Sequence, residues 1–161
     1  MSEPNFADLL ASPENPDNVW YPCSCHCGAT SFKILHEPLE SSAPKPAPVL
    51  KCNCSICVKN GYLLIYAFRD QIEYTHGWDA LRNYRFASKT WDHKFCGVCG
   101  TSVGIDFLGI HPAGNIIAIN GVLAENVHEL AELSEEAARK IYRLNQVVSM
   151  LVDECDKRFV K

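Results

Sequence analysis

Nine cysteines in 161 residues, eight of them in three tight groups, limit this chain more than any other feature. The groups are Cys23-Ser-Cys25-His-Cys27-Gly28, Cys52-Asn-Cys54-Ser-Ile-Cys57 and Cys96-Gly-Val-Cys99-Gly100. An odd count does not close into a disulfide framework. Residues 1–20 carry four acidic side chains (Glu3, Asp8, Glu14, Asp17) and no basic one, which fits neither a secretory signal nor a transit peptide. Clustered thiols in such a chain point to metal. The expected location is cytoplasmic, with the nucleus also open.

Short C-x-C and C-x-x-C spacings let one turn aim two sulfurs at a single ion. A glycine after the second sulfur lets the backbone turn back towards it without steric cost. Cys27-Gly28 and Cys99-Gly100 share that form, so Cys25, Cys27, Cys96 and Cys99 read as two halves of one four-thiolate zinc site. Cys23 also has C-x-C spacing with Cys25 and competes for the first half. Cys52, Cys54 and Cys57 are three sulfurs within six residues and no nearby fourth. They form a cup that suits a catalytic-type zinc with one exchangeable position, or a staple completed by a remote side chain. Cys155 lies on an apolar stripe and reads as a buried small hydrophobe.

At 47% hydrophobic and 21% charged, the chain suits one core and one domain. Residues 1–20 read as an acidic leader, either a partly ordered tail or a short helix over 4–11 docked on the domain. Residues 21–128 read as a zinc-binding β domain. Its strand candidates are Thr30–His36, Tyr62–Phe68, Ile72–Tyr74, Leu81–Phe86, Thr101–Phe107 and Ile116–Asn120. A proline-rich loop follows the first of these, over 38–48. Residues 134–160 read as an amphipathic helix: Ser134 caps it, and Ile141, Leu144, Val148, Leu151, Cys155 and Phe159 recur at steps of three and four. That stripe packs on the chain's own sheet or against a second copy, and the expectation is a symmetric homodimer through the helix. No apolar run approaches the ~20 residues of a membrane span. Charge outside the leader balances, 15 basic against 15 acidic, so nucleic acid is not an expected partner.

The motifs Cys25-His-Cys27-Gly28, Cys52-Asn-Cys54-Ser-Ile-Cys57-Val-Lys59 and Phe95-Cys96-Gly-Val-Cys99-Gly100, in that order, resemble the glutathione-dependent formaldehyde-activating enzyme and centromere protein V family. Ile119-Asn120-Gly-Val-Leu123 is similar to the family's strand after the last cysteine pair. The resemblance covers about Tyr21 to Leu123. It implies a mainly β, coiled antiparallel zinc fold, with the C-terminal α-helix as an addition outside the motifs. It implies two Zn²⁺ per chain, a structural one on Cys25, Cys27, Cys96 and Cys99 and a catalytic-type one on Cys52, Cys54 and Cys57. The activity implied is carbon–sulfur bond formation or cleavage, with glutathione or another thiol as co-substrate and formaldehyde as electrophile.

A thiolate-rich zinc suits thiol exchange better than water activation, so a carbon–sulfur lyase or transferase is expected rather than a hydrolase. The small-molecule partners are then a thiol and an electrophilic carbon. Proton transfer at an aldehyde oxygen needs an acid or base. His93, three residues before Cys96, is the first candidate, ahead of His26, His76, His111, Asp106 and Tyr66. Lys51 and Lys59 flank the second cysteine group and are the candidate cationic rim for an anionic thiol, with Arg69 and Lys94 behind them. The alternative is a non-enzymatic zinc module that uses the C-terminal helix as its interface.

Overall fold

The computed structural model describes residues 6–125, Val127 and Leu130. The expected helix over 134–160, the homodimer contact placed on it and Cys155 lie outside the described residues. Within them, the apolar runs become strands that lose water on both faces. Ile116–Asn120 is buried at all five positions and Leu64–Phe68 at four of five, which is why neither shows the alternation of a half-exposed strand.

Among the described residues, eight strands form two sheets, and every strand pairing is antiparallel. In chain order they are β1 Val19–Ser24, β2 Ser31–His36, β3 Leu64–Phe68, β4 Ile72–His76, β5 Arg82–Tyr84, β6 Asp92–Phe95, β7 Ser102–Asp106 and β8 Ile116–Asn120. The smaller sheet has the order β1-β2-β4 and the larger β3-β8-β7-β6-β5. The one α-helix among the described residues, α1, is short (Ser55–Asn60). No helix among them is long and apolar enough to cross a membrane.

Each face of the larger sheet contributes to its own core. One core joins Phe32 and Ile34 of β2 to Ile65, Ala67, Ile117 and Ile119. The other gathers Leu64, Tyr66, Ile105, Ile116 and Ala118 under Leu9, Leu50, Cys57 and Tyr62. Register puts Tyr66, Ala118, Ile105, His93 and Tyr84 in one row across five strands. A shift between Lys94 and Phe95 interrupts the β6–β7 ladder. Beyond it Val103 packs in the first core while Ile105 stays in the second.

Two segments dock on β3, an edge strand. Leu50 and Leu64 exchange backbone hydrogen bonds of 2.9 and 2.8 Å, which closes the loop bearing Cys52, Cys54, Cys57 and α1. The leader supplies the other contact: Leu10 bridges Tyr66 in parallel, and Ala11 N–H donates to Tyr66 O at 3.2 Å. Leu9 and Ala11 are buried. The described part of the leader is therefore packed on the domain, as a 3₁₀ turn over Phe6–Leu9 rather than a loose tail. The first strand starts at Val19, ahead of the expected domain boundary at residue 21.

Close approach of β7 and β8 depends on Gly104, where an added Cβ would lie 2.2 Å from Ala118 O. Gly104→Ala is expected to lower stability by about 1–3 kcal/mol, the usual range for overpacking, and chemical denaturation measures it.

His36 gives a pH signature. It is 1% exposed, its Nδ1 lies 3.1 Å from Glu37 O, and Nε2 is in hydrogen-bonding geometry with no group among the described residues. Donation from Nδ1 leaves Nε2 as the place for a second proton, inside the core. Burial holds its pKa below the ordinary imidazole value. The unfolded chain binds that proton below about pH 6.5 and the folded chain resists it. The stability contributed is therefore full above that pH and is lost as pH falls towards the depressed folded value. Urea titrations between about pH 7.5 and 5.5 should show a smaller loss for His36→Leu than for the unaltered chain.

Candidate functional site

Two turns, far apart in sequence, meet at one point. Cys25 and Cys27 lie in the turn after β1, and Cys96 and Cys99 in the turn after β6. Their four sulfurs all lie within 4.8 Å of one another. Cys27 Sγ is 3.7 Å from both Cys25 Sγ and Cys96 Sγ. The edge of a tetrahedron with Zn–S bonds of about 2.3 Å is about 3.8 Å, so the sulfurs fit a zinc ion. The turns are built alike. Gly28 and Gly100, with φ of 74° and 77°, take the left-handed conformation after the second sulfur. Gly28 N–H then donates to Cys25 O and Gly100 N–H to Cys96 O.

Backbone donors surround these sulfurs. Thr30 N–H reaches Cys25 Sγ at 3.3 Å and Val98 N–H reaches Cys96 Sγ at 3.4 Å. Thr101 Oγ1 lies 3.1 Å from Cys99 Sγ and accepts from His26 N–H, so one hydroxyl ties the halves together. Hydrogen bonding by the Thr101 hydroxyl, then by its N–H, lowers Cys99 to about 5. A lowered thiol of this kind favours the thiolate form that a metal ligand takes. At Cys27 the lowering by the Ala29 N–H is outweighed by desolvation and by bonds to the other three sulfurs, which take it up to about 11. Cys23 is different. It is 1% exposed, bridges Ala124 and points its sulfur towards Tyr21 O. Burial, then the Glu125 charge, pushes it up to about 12. It is Cys25 and Cys27, not Cys23, whose sulfurs gather with those of Cys96 and Cys99.

The second cluster, Cys52, Cys54 and Cys57, also has its sulfurs within 4.8 Å, with Cys57 buried. It sits on the second core, against Tyr62, Tyr66 and the neighbouring rings of Phe107 and Trp91. Cys54 occupies the N-cap position of α1, and Gly61 ends that helix at φ 60°. Hydrogen bonds from Cys52, then Cys57, pull Cys54 down to about 3, helped by the Cys57 and Ile56 N–H groups. Its partners move the other way. Cys52 rises to about 12, first through its bond to Cys54, and Cys57 rises through its bonds to Cys52 and Cys54. Three soft sulfurs in a mostly apolar setting fit zinc.

The other sequence candidates separate by face. His93 is 5% exposed on the cysteine face, between Tyr62 (centroids 6.4 Å) and Phe86 (5.1 Å), and its Nδ1 has no hydrogen-bond partner among the described residues. Burial lowers it to about 4 against the opposing pull of the Cys54 and Asp92 charges. Tyr66 lies in the same row, fully desolvated. His111 is one ring further out, against Phe6 and Phe107. Lys51 and Lys59 are exposed on the loop that carries the cysteines. His76 is tied to Gly28 O beside the first cluster, and His26 is exposed there. Arg69 and Lys94 leave the rim. Arg69 pairs with Asp106 at 2.6 Å, and Lys94 bonds Asn83 and stacks over Trp78. Asp106 is thereby occupied as well. Sequence reasoning missed Trp91, whose buried Nε1 has no partner. Its spacing of two from His93 was the available signal.

A sequence model of the family described as glutathione-dependent formaldehyde-activating enzyme matches residues 20–142, which include all three cysteine groups. Among solved structures, the crystal structure of a Rhodobacter sphaeroides protein, a structural-genomics target, is similar with a TM-score of 0.52 and 24% identity. The match covers 70% of this chain and 99% of that one. At that identity the likeness concerns the fold.

The two positions that compete for the first half are separable by metal content. Cys23→Ala is expected to leave the bound metal per chain unchanged, whereas Cys25→Ala removes one equivalent. Elemental analysis of both purified variants checks it. Equal losses would return Cys23 to the ligand set.

Proposed function

The chain belongs to the glutathione-dependent formaldehyde-activating enzyme family, and on that premise we propose that it is a zinc-dependent carbon–sulfur lyase or transferase. Its substrates are a glutathione-like thiol and an aldehyde or other electrophilic carbon, formaldehyde being the smallest. The observation that carries this reading is the inequality of the two sulfur clusters. One has four cysteines. The other has three, and among the described residues no further His, Cys, Asp or Glu joins it. Four thiolates close a zinc site, while three leave an exchangeable position. We therefore assign two zinc ions per chain, a structural one at Cys25, Cys27, Cys96 and Cys99 and a catalytic-type one at Cys52, Cys54 and Cys57. Bound at the second cluster, zinc supplies a soft seat at which a substrate thiol is held deprotonated.

The chain's own residues do the rest. The thiolate sulfur forms a bond to the carbonyl carbon while the π pair of C=O moves onto oxygen. That oxygen takes up a proton equivalent to the one the thiol released, giving a hydroxyalkyl thioether, and the reverse steps cleave it. His93 handles that proton: it is neutral, lies on the cysteine face and keeps Nδ1 free. Lys51 and Lys59 attract the carboxylates of an anionic thiol. The rings of Tyr62, Tyr66 and Phe107 line the core beneath the cluster and limit water, which favours addition of the thiol over hydration of the aldehyde.

Single substitutions separate the two roles. Cys96→Ser is expected to remove the structural ion and lower Tm by more than about 10 °C, because structural zinc supplies on the order of 10 kcal/mol of folding free energy. Cys54→Ser is expected to keep the fold, retain one zinc and lose thiol–aldehyde activity. Circular dichroism, zinc content and turnover of S-hydroxymethylglutathione measure all three. Equal unfolding by both substitutions would end the division of labour.

A further inference from the structure

Four buried side-chain polar atoms have no hydrogen-bond partner among the described residues: Asn18 Oδ1, His36 Nε2, Trp91 Nε1 and His93 Nδ1. Asn18 lies in the leader and His36 in the smaller sheet. The other two stand two residues apart where β6 begins, and the alternation of an extended chain places such residues on one face. Ring contacts agree. Trp91 meets Phe107 edge-on at 4.9 Å, and His93 stacks on Tyr62. His93 faces Ile105 in register, and Phe107 lies two residues beyond Ile105 on the neighbouring segment. Tyr62, Ile105 and Phe107 belong to the core cluster that includes Cys57, and Cys52, Cys54 and Trp91 pack against it.

Buried polar atoms without partners are rare because their desolvation is uncompensated. Two on one face, both against the core that carries the three cysteines, indicate a shared ligand. The indole N–H only donates, so that ligand must offer an acceptor. A neutral imidazole nitrogen can give or receive, so the same ligand atom or its neighbour can be oxygen in either protonation state. We propose that Trp91 Nε1 and His93 Nδ1 together bind the oxygen of the electrophile, which restricts the substrate class to carbonyl compounds and their hydroxyalkyl thioether adducts. The inference rests on the thiol–carbonyl reading above and narrows it. As the sulfur attacks, charge grows on that oxygen. A preset, buried N–H donor stabilises the developing charge more than it stabilises the neutral carbonyl. An electrophile without oxygen, such as an alkyl halide, leaves both nitrogens unsatisfied and is rejected.

The chain has three tryptophans, Trp20, Trp78 and Trp91, so the zinc-loaded full chain labelled with ¹⁵N gives three indole N–H signals, and Trp91→Phe identifies one of them. Glutathione alone should leave the Trp91 signal in place. Glutathione with formaldehyde, present as S-hydroxymethylglutathione, should move it downfield. Trp91→Phe should lower kcat/KM for the adduct by about 100-fold, the cost of one oxyanion donor, with glutathione affinity unchanged. His93→Leu should lower it further, and His93→Gln, which restores a hydrogen-bonding atom, should recover part of the loss. An unmoved Trp91 signal in a chain that turns over the adduct overturns the inference and leaves the thiol–carbonyl reading standing. Unaltered kcat/KM in Trp91→Phe does the same. A wild-type chain that neither binds glutathione nor turns over its adduct overturns both. Should Trp91→Phe fail to fold, the wild-type titration, with the signal assigned through Trp20→Phe and Trp78→Phe, decides alone.

Discussion

Everything in this molecule depends on four sulfurs from two distant turns converging on one point. The first turn follows β1 of the three-stranded sheet and the second follows β6 of the five-stranded sheet. Four soft donors at the spacing of a tetrahedral edge therefore join the sheets as well as the turns. Four thiolates at that distance would repel strongly, and a cation among them would offset that repulsion, so the arrangement suits a bound metal ion. Thr101, touching a sulfur from one half and a backbone N–H from the other, adds a hydrogen bond across the same seam.

The second cluster obeys a different logic. Its three sulfurs come from one loop, so they cross-link nothing distant. The loop is fixed instead by the paired hydrogen bonds of Leu50 and Leu64 and by burial of Cys57. The cluster packs on one face of the larger sheet, and on that face a row of side chains runs from Tyr66 to Tyr84. A rigid sheet is a better platform than a loop for groups that must hold hydrogen-bonding atoms in place.

The cysteine groups, the antiparallel β character and the central apolar strands were legible because each is a local pattern. Ile116–Asn120 reads as a strand and is one. Less was legible where long-range partners decide. Asp92-His-Lys-Phe looks like a polar connection, yet it is β6, because Arg85 pairs with Asp92 and Tyr62 and Phe86 enclose His93. β1 contains Pro22, which an edge strand tolerates. The helix α1 is only six residues long, too short for a 3.6-residue period to register. Arg69 had the composition of an anion rim, but Asp106, remote in sequence, claims it. Leader docking was one of two readings of residues 1–20, and the sequence did not decide between them, since the docking partner is the backbone of β3 and not a side-chain pattern.

The covered edge of β3 bears on how the chain survives its own synthesis. Leu64–Phe68 is the kind of short, apolar, uncharged segment that pairs readily with copies of itself. Its sheet partner β8 emerges from the ribosome much later. The segments that dock along its free edge, Leu10-Ala11 and Leu50, are made before it. Both covering segments precede β3 in the chain, so neither depends on β8 having been made, and in the folded protein they occupy an edge that would otherwise be free to pair. The opposite edge needs no such escort: β5 is three residues long, fully exposed and led by Arg82. Through Leu10 and Ala11 the acidic leader is in this sense a cover for the strand edge it packs on.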